Sequence, residues 1–286
     1  MIRVAISLQR IIVSALILTS IVGVLNLTAS QPAYAATFTI DSTGGDCNTI
    51  GVWDASKRQC TLKFNVLGSI VIAADGITLD GAKHTLTGDG TGNGVLVDGR
   101  TGVTIKNVVV ENFNVGIFLD ESNGNTLAGN LANSNSFTGI VLSDSDGNTL
   151  INNVANSNGQ VGISVGGGSN GNTLTKNTAN LNTLRGILVG SSGNTLIGNV
   201  ANSNVLTGIF VESASGNTLT KNTANLNGED GFHLEGTNTI KGNTANSNGT
   251  FGYEATGSIG LIFSKNRCSG NGSGGSDPSG LCLPQP

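Results

Sequence analysis

The sequence predicts an all-β solenoid, a parallel β-helix of about eight or nine coils of 21–24 residues, on three observations. The first is a repeated phrase. Gly124-Asn125-Thr126-Leu127 returns as Gly147-Asn148-Thr149-Leu150, Gly171-Asn172-Thr173-Leu174, Gly193-Asn194-Thr195-Leu196 and Gly216-Asn217-Thr218-Leu219. The second is a period of two inside each coil: Ile117 and Leu119 share a face, as do Ile140/Leu142, Ile163/Val165, Ile187/Val189 and Ile209/Val211. The third is that two further columns repeat in step. Leu127, Leu150, Leu174, Leu196, Leu219 and Ile240 form one, and Ala132, Ala155, Ala179, Ala201, Ala224 and Ala245 the other. Three inward columns imply three short strands per turn. A leucine-rich repeat has a similar period but needs more leucine and a helix in each unit.

Taken in order, the chain opens on a targeting segment. Arg3 and Arg10 supply a positive region, Ile11 to Leu27 an apolar run, and Ala33-Tyr34-Ala35 a small-residue cleavage site. Residues 1–35 therefore read as a signal peptide, with cleavage favoured over a retained anchor, and no later segment is apolar enough to span a membrane. The expected location is exported: periplasmic, cell-surface or secreted.

Residues 36–75 read as an N-terminal cap, because a stack of coils exposes an apolar end that an atypical unit must cover. Strands are expected at Thr37–Ile40 and Cys60–Phe64, flanking a turn region that carries Trp53. Residues 76–271 are the repeats, and 272–286 a Gly/Ser-rich C-terminal tail or cap. Of three possible cysteine connectivities, the simplest is one local bridge at each end, Cys47–Cys60 and Cys268–Cys282. Disulfides suit an exported chain, and the whole array separates the two pairs from any shared zinc. Aligning Phe263–Cys268 with Ile240–Ala245 puts Cys268 in the alanine column.

Asn130, Asn153, Asn177, Asn199, Asn222, Asn243 and Asn266 recur at one position per coil. Asparagine tolerates the left-handed backbone of a sharp corner, and its amide can also bond to the coils above and below. At ~4.8 Å between strands, eight or nine coils make a rod of about 40 Å. Lys176, Lys221 and Lys265 recur at every second coil on another face, spacing like charges apart.

Composition narrows the function. Aromatics are 4%, charged residues 11%, and the net charge is −4, or −6 without the two leader arginines. The charge excludes a nucleic-acid binder and no such motif is present. The glycines mark coil corners and do not form a phosphate loop.

The phrases Gly-Asn-Thr-Leu, Asn-x-Ala-Asn-Ser-Asn and Gly-Ile-x-Val resemble the repeats of right-handed parallel β-helix proteins of the pectate-lyase-like superfamily. The Asn-rich form is similar to the NosD-type domain, named after a periplasmic protein that assists copper-site assembly in nitrous oxide reductase. The resemblance covers about Gly76 to Asn271 and implies the right hand, which agrees with parallel crossovers in general. It does not choose an activity, since the superfamily holds lyases, hydrolases, epimerases and non-catalytic surface proteins. It also implies that a site would lie on the outer face of the Gly-Ile-x-Val sheet.

On that face the outward residues run Leu96, Phe118, Val141, Ser164, Leu188, Phe210, His233 and Glu254. The stripe is mostly apolar with two exposed phenylalanines, suited to sugar rings or a partner surface. The next outward positions run Asp98, Asp120, Ser143, Gly166, Gly190, Glu212, Glu235 and Thr256, stacking carboxylates as Asp98/Asp120 and Glu212/Glu235. Stacked like charges raise a pKa unless a cation, such as calcium, lies between them. Glu212, His233 and Glu235, with Glu229, Asp230 and Glu254 beside them, are the candidate acid–base or cation set. Arg185 is the nearest basic residue.

The leading expectation is a non-catalytic, cofactor-free binding protein that contacts a polysaccharide or an extracytoplasmic protein along this face. Phe118, Val141, Leu188, Phe210, Asp98, Asp120 and Glu254 would line it. The alternative is a lyase or epimerase centred on Glu212, His233 and Glu235. Copper handling rests on the resemblance alone: the two histidines, His84 and His233, stand far apart and the chain has one methionine. Oligomeric state does not follow from the sequence.

Overall fold

A computed structural model describes residues 36–255, 258 and 260–284. The expected signal peptide and Thr256 lie outside the described residues. Parallel strands stack into a solenoid of about nine turns. The longest strands form one sheet, in the order Val66–Ile72, Asn93–Asp98, Val115–Asp120, Thr138–Ser143, Val161–Gly166, Arg185–Val189, Ile209–Val211, Phe232–Leu234, Phe251–Glu254 and Gly274–Asp277. The Gly-Asn-Thr-Leu phrase supplies a second sheet from Gln59–Leu62 to Ile262–Ser264. The third is held by short strands at its ends and single bridges between, from Leu131–Val154 to Thr223–Thr244.

Register never slips, so like stacks on like. Ile117 pairs with Ile140, Ile140 with Ile163, Ile163 with Ile187 and Ile187 with Ile209, all fully buried. The leucine and alanine columns are buried as expected. Near the C-terminal end the aliphatic column becomes aromatic: Phe232 and Tyr253 stack with centroids 4.8 Å apart. The alanine column is small because the glycine at the start of each long strand passes against it. A Cβ on Gly162 would lie 2.7 Å from the Ala155 carbonyl oxygen and 2.8 Å from Ala179 Cβ.

The asparagines do not do the corner work expected of them. The left-handed residue is the one before each: Gly129, Asn152, Lys176, Gly198, Lys221, Gly242 or Lys265. The asparagines themselves are buried, and from Asn153 onward each Oδ1 accepts from the asparagine one coil earlier, as in Asn130→Asn153→Asn177→Asn199. Two more buried ladders run through Asn125–Asn148–Asn172–Asn194 and Asn135–Asn158–Asn182–Asn204. The solenoid thus holds polar columns beside its apolar ones, each amide satisfying a neighbour's backbone N–H.

Strand pairing begins before the first repeat phrase. Ala36–Ile40 pairs in parallel with Val66–Ile72, and a short helix, Cys47–Ile50, leads into a hairpin of Gly51–Asp54 and Gln59–Leu62 that contains Trp53. Cys47–Cys60 closes this end, and Cys268–Cys282 ties the tail to the last coil. Cys268 pairs with Ala245, in the alanine column as expected. Among the described residues no helix is long and apolar enough to cross a membrane.

Candidate functional site

In a repeat array a site declares itself as a departure from the repeat. The first position of the long strand is Val115, Thr138 and Val161 in early coils, and further along the same register it becomes Arg185, Thr207 and Asp230. The outward position changes from Leu188 to Phe210, His233 and Glu254. One coil therefore carries Asp230, His233 and Glu235, where the coil before it carries Thr207, Phe210 and Glu212, and the next coil adds Glu254 beside His233. The strand geometry gathers them: Asp230 precedes the strand, while His233 and Glu254 stack as register partners.

His233 is the centre of the group. Its Nδ1 lies 3.4 Å from Asp230 Oδ2 and 3.1 Å from Glu254 Oε2. Its Nε2 faces Glu235 Oε1 at 3.7 Å. The other oxygen of Glu235 accepts from the Ser213 backbone N–H and hydroxyl, at 2.8 and 2.9 Å. Asp230 is almost wholly buried, and its Oδ1 accepts from the Thr250 hydroxyl and from the Phe251 N–H. Glu229, Thr250 and Phe251 complete a shallow pocket around Asp230, His233 and Glu254.

The charges respond to this packing. Burial pushes the Asp230 carboxyl up, but hydrogen bonds from His233, Thr250 and the Phe251 N–H outweigh it and hold it below the ordinary carboxylate range. The hydrogen bond to Asp230 raises the His233 imidazole above its usual value. Burial opposes that rise, and the nearby charges of Glu254, Asp230 and Glu235 reinforce it. Glu254 is raised, first by burial and then by sharing a hydrogen bond with Asp230.

Other expected residues fall differently. Glu212 is exposed, and among the described residues its carboxylate makes no hydrogen bond or ion pair, so it does not join His233 and Glu235. Asp98 and Asp120 are register partners, as the sequence implies. Phe118, Val141 and Leu188 are half-buried on the outer face. Phe210 is not exposed: it retains 7% of its surface. The Arg185 guanidinium lies over its ring at 4.5 Å, and the His233 ring meets it edge-on at 4.7 Å. Sequence reasoning identifies Arg185 only as the nearest base and misses this stacking. A signal for it exists, since counting register puts Arg185 and Asp230 in the same column.

Copper(I) would need soft sulfur donors. All four cysteines are in disulfides and the single methionine is Met1. The one mixed carboxylate–imidazole set among the described residues is Asp230, His233 and Glu254, with ligand atoms within 4.8 Å of one another.

A family model described as "Right handed beta helix region" matches residues 47–201, more than half of the chain, and the chain belongs to that family. A second model, "Periplasmic copper-binding protein (NosD)", matches residues 156–273, a span that includes the candidate site. The fold is similar to an alginate lyase from Paenibacillus sp. str. FPU-7, with a TM-score of 0.59 at 16% identity over 87% of this chain and 98% of that one. It is also similar to the A-module of an Azotobacter vinelandii mannuronan C-5 epimerase, with a TM-score of 0.51 at 17% identity, covering 85% and 83% of the two chains. The periplasmic alginate epimerase AlgG gives 0.53 at 15% identity, covering 81% and 77%. These likenesses are of fold. No curated protein matches the chain. The periplasmic family and the two disulfides agree with an extracytoplasmic protein.

Proposed function

We propose that this is an exported, non-catalytic β-helix protein that binds a neutral, hydroxyl-rich polysaccharide along the outer face of the long sheet. Its leader would be cleaved after Ala35. The observation that carries the reading is the concentration of repeat-breaking residues on one face of two adjacent coils, Asp230, His233, Glu235 and Glu254. Carboxylates accept hydrogen bonds from sugar hydroxyls. The half-buried Phe118, Val141 and Leu188 offer apolar contact along the same face, with Asp98 and Asp120 at its far end. A polyuronate suits the site less well, because its carboxylates would meet three of like sign. The Arg185 guanidinium nearby is engaged on Phe210. Calcium between Asp98 and Asp120 would be an accessory to this reading.

The test is incubation with neutral glycans and polyuronates, with and without calcium, reading retention by pull-down and products by mass spectrometry. Retention of a neutral glycan without products is expected, and Phe118→Ser should abolish it. Capture of a protein partner with no glycan retained would overturn the ligand class. One observation favours a second reading: His233 and Glu254, two groups displaced from their usual pKa, are in contact, as in an acid–base pair. The lyase or epimerase alternative predicts new products that Glu235→Gln removes without lowering the melting temperature.

A further inference from the structure

We infer that Asp230, His233 and Glu254 form a binding site for a divalent first-row transition ion of zinc type, joining two successive coils. Such a site does not depend on whether a glycan binds the face. The three side chains hold a mismatch in hydrogen bonding. His233 Nδ1 carries at most one proton, yet two carboxylate oxygens face it, at 3.4 and 3.1 Å. A proton on Nδ1 satisfies one of them and leaves the other to share a proton with the neighbouring carboxylate; an ion between the three atoms satisfies all. The two separations from Nδ1 lie close to what such an ion imposes, and all three ligand atoms lie within 4.8 Å of one another. An ion holding nitrogen and oxygen ligands at about 2.0–2.2 Å in tetrahedral array spaces them at roughly 3.3–3.6 Å.

A second, independent feature points the same way. A metal-ligating histidine presents its other ring nitrogen to a carboxylate or carbonyl, which fixes the tautomer. Glu235 stands on the Nε2 side of His233, and the Ser213 N–H and hydroxyl hold its carboxylate in place. Nδ1 is thus turned toward Asp230 and Glu254, while Glu235 Oε1 lies behind the ring at 3.7 Å from Nε2, an ionic contact beyond direct hydrogen-bond length. Phe210 meets the imidazole edge-on and restricts its rotation further. Asp230 is fixed by Thr250 and Phe251, so two of the three ligands are positioned before an ion arrives. Glu254 and the imidazole are each 28% exposed, leaving an open side for water or a ligand oxygen. The imidazole shifts preference away from calcium and magnesium, which take all-oxygen sets, and the lack of sulfur disfavours cuprous copper.

The ligands span two coils, so an ion would also staple the solenoid at this point. The experiment is calorimetric titration of the purified, chelator-treated protein with zinc, paired with thermal melts. One equivalent should bind and raise the melting temperature. His233→Ala and Glu254→Gln should each weaken binding at least tenfold, while His84→Ala changes nothing. Glu235→Gln should weaken it by about 10–100-fold through loss of the carboxylate charge behind the ring. Circular dichroism of each metal-free variant reports whether its fold is kept, and Glu254→Gln, on a half-exposed side chain, serves if His233→Ala does not fold. Absence of stoichiometric binding, or binding that His233→Ala and Glu254→Gln leave intact, overturns the site.

Discussion

Asn177 donates both its backbone N–H and its Nδ2 to a single atom, Asn199 Oδ1, at 2.8 and 3.0 Å. Its own Oδ1 receives the same pair from Asn153, at 2.9 and 3.0 Å, and its remaining Nδ2 proton goes to the Leu150 carbonyl at 2.9 Å. Every capacity of a fully buried amide is used. The ladder costs no unsatisfied group anywhere along this run, and that is why a solenoid can hold columns of asparagine beside its aliphatic core.

Removing one rung should therefore be costly. Asn177→Ala strands the Asn153 donors and the Leu150 carbonyl in the interior, at about 1–3 kcal/mol for each unsatisfied group. A loss on the order of 3–5 kcal/mol is expected, read as a lower melting temperature and faster hydrogen exchange at the Asn153 amide. Asn180, on the half-exposed ladder through Asn156 and Asn202, should cost about 1 kcal/mol when changed to alanine, since water can replace its bonds. Equal losses at the two sites would mean that burial of the asparagine ladder does not set its cost.

Two glycines test the difference between space and backbone freedom. Gly162→Ala would push its Cβ to 2.7 Å from the Gly186 and Ala155 carbonyl oxygens, so the strand must move. Gly147 has φ +63°, and a Cβ added there would meet nothing within 4 Å. Alanine at that position costs only the left-handed backbone, roughly 1–2 kcal/mol. The melting temperature should fall much further for Gly162→Ala.

The Cys268–Cys282 bridge closes a separation of 14 residues, and a loop of that size constrains the unfolded chain by about 3 kcal/mol. Changing both to serine should raise exchange and proteolysis from Phe263 onward while leaving the middle coils protected, because a solenoid opens locally. Uniform loss of protection would mean that the tail does not act as a cap.

Tyr253 supplies a pH dependence. Burial pushes its phenol well above the ordinary value. A raised folded pKa contributes stability that is fully present below the unfolded value, about 10, and is lost as pH rises past it. In protein beginning at Ala36, where Tyr253 is the only tyrosine, tyrosinate absorbance should appear together with alkaline unfolding. Its appearance in protein that remains folded would show that the ring is accessible.

Much of this molecule was legible in the sequence because stacking converts a one-dimensional period into three-dimensional columns. The leucine, alanine and isoleucine columns and the position of Cys268 follow from counting, and the two disulfides match the simplest of three possible connectivities. The asparagine corners misled because two adjacent residues share the bend: the left-handed conformation falls on Lys176 or Gly198, and the following asparagine turns inward. The site was half legible. His233, Glu235 and Glu254 lie in one outward stripe that alternation identifies. Asp230 reaches them from the start of the strand, and Glu212 fails to, for reasons of side-chain direction that periodicity does not carry. Phe210 counts as outward by the same alternation, yet Arg185 and His233 close over it, and no pattern of a single strand records a neighbour on the adjoining coils.

We propose that this protein meets its ligand on the outer face from Phe118 to Glu254. The direct measurement is carbene footprinting of the purified protein with and without the polysaccharide it retains best. Protection of Phe118, Val141, Leu188, His233 and Glu254, lost in the Asp230→Asn/Glu254→Gln double variant, is the expected result. Protection confined to the Gly-Asn-Thr-Leu face or to the C-terminal tail would contradict it.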